Sequence, residues 1–327
     1  MELALAAWSG LRGEALASAP DAGLINQTFL AGNPPKFVVQ RVNPLFRPVV
    51  HEDIEAVTAH LERCGLVTPR LIRTDRGELC SLAEDGAAWR LFNFIPGHTF
   101  HRVTSPKLAY EAAILVGKFH HAVDSLEWEY RHVRPGAHDT LLHMQRLDSV
   151  VRSGEARQIA DGILELWRSW EGRLDLGLRH CHGDLKISNL HFDEDGRGLC
   201  LLDLDTLSRL PLDVELGDAW RSWCNPVGED GVETYVDLEV LAAAIQGYRS
   251  VVTLPTDARE GLAGGLERIA LELASRFCRD AVEDNYFGWN ADRFPSRVAH
   301  NLFRAAGQLN LARSARALRG PIASLLA

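Results

Sequence analysis

Two short stretches hold the residue types that could do chemistry. His182-Gly183-Asp184-Leu185-Lys186-Ile187-Ser188-Asn189 places an aspartate, a lysine two residues on and an asparagine five residues on in a polar loop. Leu199-Cys200-Leu201-Leu202-Asp203-Leu204-Asp205 ends a hydrophobic strand with two carboxylates at i and i+2, on one face of that strand. Together they offer a carboxylate to accept or orient the proton of an attacking hydroxyl and a cation to offset charge on phosphate. They also offer hard oxygen ligands for Mg²⁺, an ion that keeps several waters and takes only one or two protein carboxylates. Those are the needs of phosphoryl transfer from ATP. A metal-dependent glycosyl transfer would also use an Asp-x-Asp at a strand end, as in Asp203-Leu204-Asp205. It leaves Asp184 and Asn189 unexplained, and it calls for a doubly wound βα opening.

The spacing from Asp184 to Asn189, followed by a strand-end aspartate, is that of the protein-kinase catalytic loop. The string HGDLKISN with LLDLDT resembles the aminoglycoside phosphotransferase and choline kinase superfamily, whose fold is similar to that of protein kinases. Other stretches resemble a narrower branch, the N-acetylhexosamine 1-kinases and their relatives: GLINQTFL, FVVQRVN, Leu204-Asp205-Thr206, Leu216-Gly217-Asp218-Ala219, RFCRDAVEDNYF and HNLFRAAGQLNLA. The similarity runs from about Gly23 to Ala312.

The resemblance implies ATP and Mg²⁺ as cofactors and a role for each matching residue. Asp184 would be the catalytic base, with Asn189 and Asp203 ligating Mg²⁺. Lys186 would neutralise the transferring phosphoryl group, its alternative being a solvated loop lysine. Asp205 would be a second Mg²⁺ ligand or an acceptor for a substrate hydroxyl, its alternative a helix or turn cap. Asp218 resembles the acid that bonds the backbone of the catalytic loop, its alternative a helix N-terminal carboxylate favoured by the dipole. His182 would hold the loop in shape.

The small-lobe assignments follow position rather than motif, because no G-x-G-x-x-G is present. The turn from Gly23 to Thr28, with Asn26 and Thr28, would face the phosphates. Where protein kinases carry a strand lysine this chain offers Gln40-Arg41, and arginine can pair with phosphate bidentately. Arg41 is therefore the expected nucleotide cation, with Glu52 on the following helix as its partner and Glu55 one turn on as the alternative. Phe94 and Ile95 would meet the adenine ring. On the acceptor side Arg276 and Asp280, at i and i+4, and Tyr286 would bond substrate hydroxyls, the alternative for the first two being a surface ion pair. Trp220, Trp223 and Trp289 could stack on a sugar face or pack in the core. The implied activity is transfer of the ATP γ-phosphoryl group to a hydroxyl of a sugar or amino sugar. An aminoglycoside or choline-type acceptor is one alternative, and a non-catalytic nucleotide-binding module is another.

These residues need particular elements to position them. Gly23 to Val42 reads as a hairpin around the Ala31-Gly32-Asn33-Pro34-Pro35 turn. Val50, Ile54, Val57 and Leu61 recur at helical spacing and predict a helix over Val50 to Cys64. Extended stretches follow at Arg70 to Thr74, Glu78 to Leu82 and Trp89 to Ile95. Beyond Pro96-Gly97 the signals turn helical. Ser105-Pro106 opens one helix, a second covers Ala156 to Trp170, and Leu262, Leu266, Ile269, Leu273 and Phe277 mark a third over Leu262 to Asp280. Between Arg179 and Leu207, two strand-like runs flank an Asp195-Gly196 turn. The expected fold is α+β and bilobal: a β-rich nucleotide lobe over residues 1–95 and a mainly helical catalytic lobe over residues 96–327.

The composition agrees. The chain has 327 residues, 46% of them hydrophobic, which is enough for two lobes. With 35 Lys+Arg against 44 Asp+Glu, the net charge of −9 argues against a nucleic-acid partner. No run of eighteen apolar residues predicts a membrane span, and the acidic start at Glu2 argues against a secretory signal. The expected setting is cytoplasmic, as a monomer or weak homodimer with a small-molecule substrate. Six scattered cysteines without a C-x-x-C pair read as reduced thiols. His180-Cys181-His182 invites a metal, but adjacent residues on an extended chain point to opposite faces.

Overall fold

The computed structural model describes residues 2–19 and 25–327. Gly23 and Leu24 of the expected phosphate-facing turn lie outside the described residues.

After a short helix α1 (Glu2–Leu5), the small lobe builds five antiparallel strands: β1 (Leu16–Ser18), β2 (Gln27–Ala31), β3 (Phe37–Arg41), β4 (Ser81–Leu82) and β5 (Ala88–Asn93). Their order in the sheet is β1-β2-β3-β5-β4. The expected hairpin is β2–β3, in which Thr28 stands opposite Gln40 and Phe29 opposite Val39. Period-two alternation then separates two faces. Phe29, Ala31, Val39, Trp89 and Leu91 pack with Trp8 in a satellite core on one face. Thr28, Gln40 and Arg90 stand side by side on the other. The stretch from Arg70 to Thr74 is not a full strand; Leu71 alone bridges to Phe92. The predicted helix is α2 (Val50–Arg63), and its buried stripe includes Val50, Ile54, Val57 and Leu61.

The larger lobe holds helices α3 (Pro106–Val123), α4 (Thr140–Val150), α5 (Gly154–Arg168), α6 (Leu212–Trp223), α7 (Leu238–Arg249), α8 (Thr256–Glu283), α9 (Arg297–Ala317) and α10 (Arg319–Leu326). Ser105 caps α3 by accepting from Leu108 N, as the Ser-Pro pair predicts. Between α5 and α6 lie two short ribbons, β6 (Leu178–Cys181) with β9 (Ser208–Pro211) and β7 (Leu190–Phe192) with β8 (Gly198–Leu201). Helices α6 and α8 cross closely because both present glycine at the contact. A Cβ on Gly217 would lie 2.6 Å from Gly265 O, and one on Gly265 would lie 2.6 Å from Asp213 O.

One continuous apolar core runs from α2 through α3 into α6, α7 and α8, so the helix of the small lobe is anchored on the large one. The connection from β5 to α3 is tied down as well. His98 and Phe192 exchange two main-chain bonds of 2.9 Å, and the His191 ring bonds Ile95 O at 3.1 Å. Among the described residues no helix is long and apolar enough to cross a membrane. All six cysteines are free thiols.

Candidate active site

The loop after β6 carries Asp184, and its shape is imposed from beneath. The buried Glu215 of α6 accepts from His182 N at 2.7 Å and from Gly183 N at 2.9 Å. Gly183 has φ +80°, and a Cβ there would lie 2.5 Å from Thr206 O, so the turn requires glycine. The His182 ring bonds Leu202 O through Nε2 at 2.8 Å and accepts at Nδ1 from Asp184 N at 3.2 Å. Thr206 Oγ1 donates to His182 O, and Trp223 Nε1 donates to Leu185 O at 2.7 Å. Both ring nitrogens of His182 are thus tied into the loop and the strand end beside it. The acid that bonds the loop backbone is Glu215, not Asp218. One helical turn on, Asp218 instead accepts two bonds from Arg221, of 3.0 and 2.9 Å.

Behind Glu215 stands a buried His120, whose Nε2 lies 3.3 Å from Glu215 Oε1 and whose Nδ1 lies 2.9 Å from Tyr248 Oη. Burial pushes the His120 ring below its ordinary pKa, so the neutral ring donates to Glu215 and accepts from Tyr248. Cys181 completes a cluster with His120 and Glu215 whose ligand-type atoms fall within 4.8 Å of one another. Cys181 Sγ also donates to Leu210 O, and burial holds the thiol well above its usual pKa. His180 bonds Tyr130 Oη and Leu126 O, so the three consecutive residues do diverge.

Lys186 Nζ lies 2.8 Å from Asp184 Oδ2, and Asn189 Nδ2 donates to Asp184 O at 2.8 Å and to Oδ2 at 3.0 Å. Burial opposes ionisation of Asp184, but the Lys186 ammonium and these donors hold its carboxyl below the ordinary range. Asp184 is thus an anion at neutral pH. The same pair keeps Lys186 protonated against its own burial.

β8 ends at Leu201, two residues before Asp203, which turns into the left-handed region at φ 57°, ψ 58°. Asp203 and Asp205 therefore do not share the face of a strand, a difference from the alternation expected of them. Asp205 lies in a 3-10 turn (Leu204–Thr206) and points into the small lobe. Arg90 of β5 grips both of its oxygens, at 2.5 and 2.8 Å, and Asn26 Nδ2 donates to it at 2.7 Å. Gln40 Oε1 accepts from Arg90 Nε at 2.9 Å and Gln40 Nε2 donates to Thr28 Oγ1 at 3.0 Å. Both Asp205 oxygens are bonded and the side chain is fully buried against the small lobe, so it does not face a substrate hydroxyl. Burial opposes its ionisation, and Arg90 overrides that. Asn26 and Thr28 are fastened in the same chain of bonds.

Asp203 is the opposite case. No described side chain donates to it, and burial with the nearby Asp205 and Asp184 charges pushes its carboxyl up to about 6. Asn189 Oδ1 likewise has no donor among the described residues. A carboxylate raised by burial and nearby negative charge, together with the undonated amide oxygen of Asn189 in the Asp184 loop, is a donor set suited to a hard divalent cation.

Arg41 and Glu52 do not meet. Arg41 lies on the sheet face opposite Gln40 and Arg90 and pairs with Asp85 at 2.8 Å. Glu52 pairs with Arg131, and Glu55 pairs with Arg70 and Arg73. The arginine turned towards the site is Arg90, which alternation along β5 could have revealed. Phe94 O and Ile95 N carry no hydrogen bond among the described residues, so they remain available to a planar base.

On the acceptor side Asp280 is buried and spent. It accepts from the main-chain nitrogens of Asn285, Tyr286 and Phe287 and from Asn301 Nδ2, closing the turn after α8. Its expected substrate contact is corrected to a structural one, because four donors surround one carboxylate. Arg276 and Tyr286 do come together, with Arg276 Nη2 3.5 Å from Tyr286 Oη and the guanidinium 5.7 Å from the ring centre. Trp220 and Trp223 are core residues, whereas Trp289 is exposed.

A model of the phosphotransferase enzyme family matches residues 17–251, and the chain belongs to that family. It is an ATP-dependent phosphotransferase acting on an alcohol group. Solved structures share its fold. An aminoglycoside phosphotransferase from Alicyclobacillus acidocaldarius is 14% identical, with 100% of this chain and 96% of that one covered at a TM-score of 0.67. A microcompartment-associated aminopropanol kinase is 15% identical over 97% and 96%, with a TM-score of 0.67. An amicoumacin kinase in complex with AMP-PNP, Ca²⁺ and Ami is 13% identical over 89% and 87%, with a TM-score of 0.60. No curated protein matches.

Proposed function

We propose that the protein transfers the γ-phosphoryl group of ATP to a hydroxyl of a sugar or amino sugar, with Mg²⁺ as the metal. The observation that carries this reading is the convergence of an anionic Asp184, its neighbour Lys186, and the donor-free oxygens of Asn189 and Asp203. Asp203 and Asn189 would hold the metal, which when bound shields the charge of the phosphates. Asp184 orients the acceptor hydroxyl and receives its proton. Lys186, 2.8 Å from that base, offsets charge as it develops on the transferred group.

The small lobe supplies the nucleotide side. Residues 1–95 would cover the phosphates, with Phe94 O and Ile95 N meeting the adenine edge. The Asp205–Arg90 pair takes the place of the strand-cation and helix-acid pair of protein kinases. It locks the β2-β3-β5 sheet to the segment that carries Asp203, with Gln40, Thr28 and Asn26 bracing it. The sugar reading follows the resemblance to N-acetylhexosamine 1-kinases and the Arg276–Tyr286 contact.

An ADP-release assay across neutral sugars, amino sugars, amino alcohols and aminoglycosides tests it. Turnover of sugars that depends on Mg²⁺ is the expected result. Tight nucleotide binding with no turnover of any acceptor would instead leave a nucleotide-binding module.

A further inference from the structure

Where the end of α2 meets α3 and β8 there is a cavity of about 230 Å³. Its walls are apolar and come from both lobes. Leu61 belongs to α2, Leu115 and Phe119 to α3, and Leu201 to β8, and all four are buried in the protein. Protein interiors rarely leave gaps larger than a water molecule, because unfilled space forfeits dispersion contacts along its lining. An apolar cavity of about 150 Å³ is enough to hold benzene. This one has room for an aromatic ring and a short chain.

Two polar side chains interrupt the apolar lining. Thr68, in the segment that leaves α2, is 6% exposed, and its hydroxyl makes no hydrogen bond among the described residues. Buried hydroxyls ordinarily have a partner, so this one is a donor awaiting an acceptor. Lys118 lies on α3 between Leu115 and Phe119, at the spacing that puts the three on neighbouring rows of the helix. It is exposed and forms no ion pair among the described residues. No carboxylate and no imidazole lines the cavity. Its one fixed charge is therefore positive, and it stands where the apolar wall meets solvent.

We propose that this cavity binds a small amphipathic monoanion, a carboxylic acid with an aryl or alkyl body. The hydrocarbon fills the void, the carboxylate pairs with the Lys118 ammonium, and the Thr68 hydroxyl donates to it. The site goes beyond the phosphoryl-transfer reading and does not depend on it, since none of its lining residues belongs to the cluster around Asp184. Without a base or a metal donor it is a binding site, not a second reaction centre. The apolar body supplies most of the affinity, and the lysine selects the sign of the charge.

The probes are 3-phenylpropionate, 3-phenylpropanol and 3-phenylpropylamine, which share a hydrocarbon and differ in charge. Calorimetric titration of the full chain at neutral pH should show saturable one-to-one binding of the acid. The alcohol should bind about 2- to 5-fold more weakly, the scale of an exposed ion pair, and the amine more weakly again. Lys118→Gln should bring the acid down to the level of the alcohol and leave the alcohol unchanged. Val67 also lines the cavity but is 48% exposed, so a larger side chain there obstructs the opening without disturbing the core. Val67→Trp should abolish binding of all three probes while the melting temperature without ligand is kept. Absence of saturable binding of the acid would overturn the proposal. So would equal affinity for acid and amine, or binding of the acid that is indifferent to Lys118→Gln or to Val67→Trp.

Discussion

Asp184, Lys186 and Asn189 lie within five residues of one another, and their side chains meet as that spacing implies. A neutral amide in place of Asp184 keeps the shape and the bond from Asn189 but removes the proton acceptor. Asp184→Asn is therefore expected to lower kcat by about 10² to 10⁴ with little change in nucleotide affinity, measured by steady-state kinetics and a nucleotide titration. An unchanged kcat in a folded variant would remove Asp184 from the role of base. Local spacing made these residues legible because the loop is short. Arg41, Glu52 and Asp280 were not legible, because their partners are set by tertiary neighbours. Asp85 is brought to Arg41 by the hairpin-like return into β5, Arg131 reaches Glu52 from beyond α3, and three turn amides fold back on Asp280.

At the scale of elements, periodicity located α2, α3, α5 and α8 but extended their ends differently: α8 begins at Thr256 and ends at Glu283, beyond both ends of the apolar stripe. Helices α4, α6, α7, α9 and α10 fall in the stretch expected to be helical but were not bounded individually, and β1 was not expected, because its three residues are all exposed and carry no apolar alternation to read. The choice between Asp218 and Glu215 is also a matter of elements. They are three residues apart on α6, both near the loop, and only the rotation of the helix under β6 decides which carboxylate meets the amides. That assignment gives a test. In Glu215→Gln one carboxamide oxygen can accept from one loop amide, while its NH₂ faces the other N–H and leaves it unpaired. A buried unsatisfied donor costs about 1–3 kcal/mol, so the urea midpoint should fall accordingly. Because the displaced amides belong to His182 and Gly183, kcat should fall about 10-fold or more even where the variant is fully folded. A loss of stability with no loss of kcat would show that the clamp supports the fold without positioning the base.

For the whole molecule, the two-lobed α+β plan was readable because the strand signals stop near Ile95 and helical ones follow. How the lobes are joined was not. The Asp205–Arg90 tie spans 115 positions in sequence, and although alternation along β5 turns Arg90 to the site face, nothing local names Asp205 as its partner. The joined interior also sets how the protein responds to acid. His51, buried in α2 beside that tie, is pushed down to about 4 by burial and the Arg90 charge, while its bond to Pro48 O opposes the shift. His143 is pushed down to about 4, mainly by burial. In the unfolded chain both return towards 6.5. Between those values the unfolded state binds more protons, so the stability the neutral rings confer is present above pH 6.5 and lost as pH falls through 4. Asp203, raised to about 6, works the other way over part of the range, as do the raised Asp213 and His138. Against them, the lowered rings of His120, His132, His180, His191 and His300 act in the same sense as His51 and His143. Glu272, held at about 2 against burial by His138, adds a further loss only below its ordinary 4.5. The Tm is therefore expected to fall as pH is lowered from 7 towards 4.5. His143→Leu removes two buried nitrogens that have no partner, so it should cost little Tm at pH 7 and should flatten the acid decline. Melting curves of both proteins across that range decide the point: parallel declines would mean that His143 is already charged in the folded protein.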